Sequence, residues 1–451
     1  MRICFIPIDN RPVCYTLPKD ICAMDSDIEL LLPPREFLGD LTKTAKIDKI
    51  LDWINGVNKE GCDCFVLSLD TLAYGGLIPS RRGNETLEEI KSRIEAIKHI
   101  LKGKKVYAFS SIMRISNNNY NEEEKEYWSV WGKKIFEYSY KMSAYYASPL
   151  AGEAGRSPDE GEIPEDILKD YLATRKRNFE INKSYLDWDF ETLIFSKDDC
   201  AEKGFNVEEA RELERLGGKT KTGADEIPLT LLARAIEKEI KVFVEFTEPE
   251  HKDKVSNYED VSIEKSVEGQ LELGGFKRVF NPDEADIILI VNNFIDKQGE
   301  LVMGWSTQPY QGQFIPPNKP YAIADVRYAN GADNAFVEDL LPKLDDNFYG
   351  YAGWNTSANT LGTILATIKV KFGGGKYNDE AFKKLQMIRL LDDWAYQANI
   401  RINGQTRDIK DLMKPFEERL TLTPALSLGE GVSVNCTYPW NRSFEVEISL
   451  C

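Results

Sequence analysis

Histidine is nearly absent from this chain: 451 residues hold only His99 and His251. His99 falls off the apolar stripe made by Ile90, Ile94, Ile97 and Leu101, and His251 sits in the charged stretch Glu248-Pro249-Glu250-His251-Lys252-Asp253. A Ser-His-Asp triad, a Cys-His dyad and a His-rich zinc site are therefore not expected. Acid–base chemistry would fall to carboxylates, Tyr or Lys. Paired cysteine motifs are missing too. Cys4, Cys14, Cys22, Cys62, Cys64, Cys200, Cys436 and Cys451 form no CxxC pair. Scattered thiols in a large chain act mainly as small hydrophobes, which points to a reducing, cytoplasmic compartment. No apolar run reaches transmembrane length, and Met1-Arg2-Ile3-Cys4-Phe5-Ile6-Pro7 enters a strand at once without a signal-peptide core. Positive charge is scarce, with 57 basic against 74 acidic residues and a net charge of −17. Binding to nucleic-acid phosphate rests on Lys and Arg. Neither nucleic acid nor an anionic membrane is an expected partner.

What is present is an alternation of strand-like apolar runs and helical patterns. Expected strands are Ile3–Ile8, Glu29–Leu32, Cys64–Leu69, Lys105–Ser110, Thr192–Phe195, Val242–Phe246, Ile287–Val291, Tyr321–Ala324 and Phe348–Ala352. Helical patterns such as Ala45–Val57, Leu87–Leu101, Ile227–Lys238 and Ser262–Leu273 separate many of them. This predicts an α/β fold with mostly parallel sheets in two doubly wound, Rossmann-like lobes. A distorted (β/α)₈ barrel is the competitor, since the strand count suits both. The expected division is an N-terminal lobe over 1–150, a flexible loop and bridging helix over 151–190, a second lobe over 191–371 and a C-terminal helical extension over 372–451.

Candidate chemistry gathers at predicted strand ends, where α/β proteins place ligands. The first strand ends in Asp9-Asn10-Arg11, the third in Asp70 followed by Tyr74-Gly75-Gly76, the fourth in Arg114, the fifth in Asp198-Asp199, and a later one in Asp325-Val326-Arg327. Crowded or buried carboxylates have pKa values pushed apart, so one can serve as acid and another as base. Asp198-Asp199 and Asp225-Glu226 are such pairs. The most informative segment is Tyr349–Gly362: a short strand breaks at Gly353, Trp354 and Asn355 follow, and Thr356 and Ser357 offer N-cap hydroxyls to a helix. Trp354 could stack on a sugar or flat ligand, with Asn355 and Asn359 bonding its polar groups. A buried Trp with ordinary capping is the plainer alternative. Likewise, Asp in Gly223-Ala224-Asp225 and Gly331-Ala332-Asp333 reads first as an N-cap. Arg175, Asn178 and Asn182 share one helix face, facing either a cleft or solvent.

These strings together resemble the domain-of-unknown-function family 4127, from Pro7-Ile8-Asp9-Asn10-Arg11-Pro12 through Leu72–Ile78, Arg175–Asn178, Gly223–Glu226, Tyr258–Asp260 and Asn330–Asp333 to Gly353–Thr356. The resemblance implies a bacterial cytoplasmic protein, loosely linked with carbohydrate metabolism.

The leading expectation is a carboxylate-dependent hydrolase acting on a glycoside, such as an amino sugar or cell-wall-derived fragment. Asp199 and Asp325 are the expected acid and its partner. Asp9, Arg11, Asp70, Tyr74, Arg114, Asp225, Glu226, Trp354, Asn355 and Asn359 are the expected substrate-binding residues. No cofactor and no resident metal are expected, and the partner is a small-molecule or oligosaccharide substrate. The first alternative is a hydrolase using Mg²⁺ or Mn²⁺ held by Asp9, Asp70 or Asp325. The second is a non-catalytic two-lobed binder of a small polar ligand.

Overall fold

A computed structural model gives the fold and describes residues 1–146, 162–198, 203–403, 409–428 and 433–450. The chain divides into two compact units. Arg2–Asn10 and Leu31–Ala224 form the N-terminal unit; Met1, Arg11–Leu30 and Asp225–Cys451 form the C-terminal unit. The strands in chain order are β1 (Arg2–Ile6), β2 (Glu29–Leu31), β3 (Cys64–Ser68), β4 (Val106–Ile112), β5 (Thr192–Lys197), β6 (Lys219–Thr222), β7 (Lys241–Phe246), β8 (Lys277–Val279), β9 (Ile287–Asn292), β10 (Gly299–Glu300), β11 (Tyr321–Asp325), β12 (Tyr328–Ala329), β13 (Phe348–Ala352), β14 (Val434–Thr437) and β15 (Glu447–Leu450).

The N-terminal unit is built on a six-stranded sheet of order β2-β1-β3-β4-β5-β6, and the C-terminal unit on a five-stranded sheet of order β8-β7-β9-β11-β13. Pairings run parallel, as in Ile3↔Cys64 and Val242↔Ile287. Both sheets are open, so the expected pair of doubly wound folds is what forms, rather than a barrel. Both share one topology, with the second strand of each unit outside the first and later strands added on the other side. Such an order has its switch point beside the first strand, between β1 and β3 or between β7 and β9. Small β10–β12 and β14–β15 pairs complete the C-terminal unit.

The central strands are continuous apolar runs because helices cover both faces. Ile287-Ile288-Leu289-Ile290-Val291 of β9 is buried throughout. β6 and β8, Lys219-Thr220-Lys221-Thr222 and Lys277-Arg278-Val279, are polar because they are edge strands; pattern reading passes over them for that reason. Helix Leu87–Leu101 begins at a capping box of Thr86 and Glu89 and buries the predicted stripe Ile90, Ile94, Ile97 and Leu101.

The expected domain boundaries differ from this division. β5, assigned to a second lobe beginning at 191, pairs with β4 and β6 inside the first sheet. The expected loop at 151–161 lies outside the described residues. The stretch 372–451 is no appendage: Phe382, Leu385, Leu391, Trp394 and Ile448 join the core of the C-terminal unit. Helix Pro12–Cys22 joins the same core through Leu17 and Ile21. Among the described residues, no helix is long and apolar enough to cross a membrane.

Leu289 is fully buried in the middle of the five-stranded sheet. Leu289→Ala is expected to lower the unfolding free energy by about 2–5 kcal/mol in urea denaturation. Lys219→Ala on the exposed β6 edge should change it by less than about 0.5 kcal/mol.

Candidate functional site

In the C-terminal unit the chain stops being a strand at Ala352 and turns away through Gly353-Trp354-Asn355. The turn is held from below by carboxylates. Gly353 N–H donates to Asp393 Oδ2 at 2.8 Å, and Ala332 N–H donates to the Asp393 backbone carbonyl at 2.9 Å. A side chain at residue 353 would press on the Tyr351 hydroxyl and Asp325 Cβ, at 2.5 and 3.2 Å from its first carbon, so glycine is needed for close approach. Asn355 adopts φ +54° and Asn330 φ +64°, a left-handed region that Asn tolerates better than most residues. The two turns are tied by Asn330 N–H donating to the Asn355 carbonyl at 2.8 Å. Helix Ser357–Phe372 then fixes the indole: Trp354 Nε1 donates to Thr363 Oγ1 at 3.0 Å, and Thr360 Oγ1 accepts from Trp354 N–H at 3.1 Å. Thr356 is the N-cap, accepting from Asn359 N–H as expected.

Trp354, Asn355 and Asn330 line a cavity of about 60 Å³ that also takes in Arg11, Thr16, Asp20, Arg389, Asp392, Gln397, Glu445 and Glu447. That is room for a functional group or the end of a substrate, not for an oligosaccharide. Its charges are held individually. Arg11 donates to both oxygens of Asp225, at 2.6 and 3.0 Å, and lies over the Trp440 ring. Arg389 donates to Asp392 at 2.7 Å and Asp393 at 3.2 Å, while its buried Nε has no hydrogen-bond partner among the described residues. Glu447 Oε1 accepts from Thr16 Oγ1 at 2.6 Å. Burial pushes the Asp20 carboxyl up to about 6 and nearby Glu447 adds to the rise, against the pull of Lys384 and Arg389. Asp392, Asp393 and Gln397 come from Leu390–Ile400, a π-helical continuation of helix Asp379–Arg389. Such wide turns are uncommon and concentrate at functional sites.

Of the predicted site residues, the structure thus brings Arg11, Asp225, Trp354 and Asn355 together. Asp325 is not on the cavity wall. It is fully buried, and its oxygens accept from Asn292 Nδ2, Asp333 N–H and Tyr351 OH at 2.8, 2.8 and 2.9 Å. Burial, then the neighbouring Asp333, raises its pKa. It anchors the loops beneath the cavity. Glu226 is fully buried and accepts from Gln270 at 3.2 Å. Asn359 is buried in the first helical turn, its Nδ2 on Thr356. Asp333 is the N-cap expected of it, whereas the N-cap position of helix Ile227–Ala235 is Glu226, and Asp225 accepts from Arg11. At the β7/β9 switch point the crevice is filled by the chain's own Arg327, fully buried against Asn292, Thr247 and Glu248.

The remaining predicted residues belong to the N-terminal unit. Asp9 is buried just beyond β1. Arg114 joins a buried ionic cluster with Arg81, Glu123, Glu124 and Asp198. Asp199 lies outside the described residues. Arg175, Asn178 and Asn182 are all buried and structural, donating to Glu209, the Ser80 carbonyl and the Ser111 carbonyl. Among the described residues, no group of three or more His, Cys, Asp or Glu side chains is arranged to hold a metal. Asp20, Arg389, Asp392, Asp393 and Glu447 were not among the expected residues. One signal existed: Arg389 and Asp392-Asp393 interrupt an otherwise apolar helical run, Met387 to Trp394.

Asp70 supplies a pH test of burial. Its carboxyl, buried and accepting from Ser111 N–H at 2.8 Å, is pushed up to about 7 by burial. The folded state therefore keeps a proton that the unfolded chain releases near pH 4. The resulting stabilisation is complete below that pH and is lost as pH rises through about 7, on the order of 4 kcal/mol at ~1.4 kcal/mol per unit. Melting temperatures measured from pH 5 to 8 should fall, and Asp70→Asn should flatten that fall.

Residues 3–449 match the family described as "Protein of unknown function (DUF4127)". No curated protein and no solved structure matches the chain.

Proposed function

Starting from the chain's membership of DUF4127, whose description assigns no activity, we propose a carboxylate-dependent hydrolase that receives the end of a glycoside in the cavity of the C-terminal unit. One observation carries this reading: Asp20, with a pKa of about 6, shares a small cavity with a second carboxylate, Glu447, and with a fixed indole face. A carboxylic acid that holds its proton near neutrality beside an ionisable partner is the pairing that glycoside hydrolysis uses. The catalytic pair proposed from geometry is thus Asp20 and Glu447, in place of Asp199 and Asp325.

In this scheme Asp20 gives its proton to the departing glycosidic oxygen as the bond to the anomeric carbon breaks. Glu447 acts on the opposite face. At a carboxyl separation of about 5 Å it would add to that carbon, and at about 6.5–9.5 Å it would take the proton of an attacking water. Trp354 offers its ring to the sugar's apolar face, and the amides of Asn330 and Asn355 suit its hydroxyls. Arg11 and Arg389 hold Asp225, Asp392 and Asp393 in place through ion pairs.

The test is a panel of chromogenic glycosides with purified protein. Turnover should survive EDTA, fall about tenfold per unit as pH rises beyond ~6, and drop by roughly 10²–10⁴ in Asp20→Asn. Turnover that is unchanged in both Asp20→Asn and Glu447→Gln would remove the carboxylate pair. Sugar binding without turnover across the panel would favour a binding protein instead.

A further inference from the structure

The N-terminal unit holds a much larger cavity, about 770 Å³, which the hydrolase reading does not use. Its wall carries five basic side chains against three acidic ones, a local positive excess in a chain of net charge −17. Two of the three acids are already engaged. Asp40 closes its own turn, accepting from the N–H groups of Thr42 and Lys43 at 2.8 and 2.7 Å, and Glu85 is paired with Arg93. Lys46 and Lys49 pair with no carboxylate among the described residues; each ammonium lies over the Phe37 ring, at 5.9 and 5.4 Å. The third observation is Tyr74, one of the residues expected to bind substrate. It lines this cavity, is 3% exposed, and its hydroxyl has no hydrogen-bond partner among the described residues. A buried donor without an acceptor is costly unless a ligand or water supplies one. The wall behind it is rigid: Arg177 stacks on the Tyr74 ring at 5.5 Å and donates to the carbonyls of Ser80, Gly83 and Glu85.

The geometry points to a binding site for a small phosphorylated molecule, with Lys46 and Lys49 pairing with the phosphate and the Tyr74 hydroxyl donating to one of its oxygens. The volume exceeds that of inorganic phosphate and suits a phosphate ester of a polar metabolite. Nucleic acid is a poor fit to a chain of this overall charge. The site is independent of the hydrolase reading, because none of its residues belongs to the cavity around Asp20.

Isothermal titration of the full chain at low salt with inorganic phosphate, glucose 6-phosphate and glucose tests this. The phosphate ester should bind, inorganic phosphate should bind more weakly, and glucose should not bind. Lys46→Glu with Lys49→Glu should weaken the ester at least tenfold, and Tyr74→Phe should weaken it severalfold. The control Lys59→Glu reverses a single charge at an exposed position outside this cavity's lining and should have little effect. Tight binding of inorganic phosphate alone would identify the free ion as the ligand source. Absence of binding by any phosphate compound, or equal losses in Lys59→Glu and the double variant, would overturn the site.

Discussion

Two buried carboxylates hold up the wall of the cavity. Asp393 takes the N–H of Gly353 on one oxygen and Arg389 on the other, and Asp325 gathers Tyr351, Asn292 and the N–H of Asp333. Both pKa values are raised, mainly by burial. Removing one partner from such an arrangement leaves groups that can find no water, which is why buried polar networks specify one geometry so strongly. The consequence is local. The tip of β13 cannot relax into a longer strand, so Trp354 and Asn355 are presented at a fixed angle, and Arg389, held by Asp393 and Asp392, stands on the cavity wall.

The two units apply one sheet order to different ends. Where a doubly wound sheet commonly leaves a crevice at its switch point, the C-terminal unit fills it with Arg327 and the loop that Arg327 ties down through the Gln308 carbonyl. Its cavity lies instead beyond β13, walled by helix Pro12–Cys22, the π-helical turn and β15. In the N-terminal unit a cavity of about 770 Å³ opens beside Tyr74 and the turn at Asp40–Ala45. Neither site follows from the topology alone; each depends on which loops carry the charged side chains.

Much of the fold was legible because its signals are local. Nine strands stood out as apolar runs, and the apolar stripe of helix Leu87–Leu101 marked the helix that forms. β6 and β8 were not legible, since an edge strand needs no apolar pattern. The site was legible only in part. The break at Gly353 and the caps of the following helix pointed to Trp354 and Asn355, and the strand-end rule pointed to Arg11. It also pointed to Asp325, and there it failed, because a strand-end carboxylate can turn inward to anchor loops as readily as outward. Asp20 and Glu447 could not be found this way. One lies in the last turn of helix Pro12–Cys22 and the other opens β15, and only long-range packing sets them beside Trp354. Sequence spacing carries no trace of a pair that is 427 positions apart.

The central claim is that Asp20 keeps its proton near neutral pH because of where the fold puts it. Selective ¹³C labelling of aspartate carboxyls, with the Asp20 resonance identified by its loss in Asp20→Asn, measures that directly by NMR titration. A midpoint near 6 that moves downward in Glu447→Gln is the predicted result. A midpoint near 4, unaffected by Glu447, would contradict the account by showing Asp20 to be an ordinary solvated carboxylate.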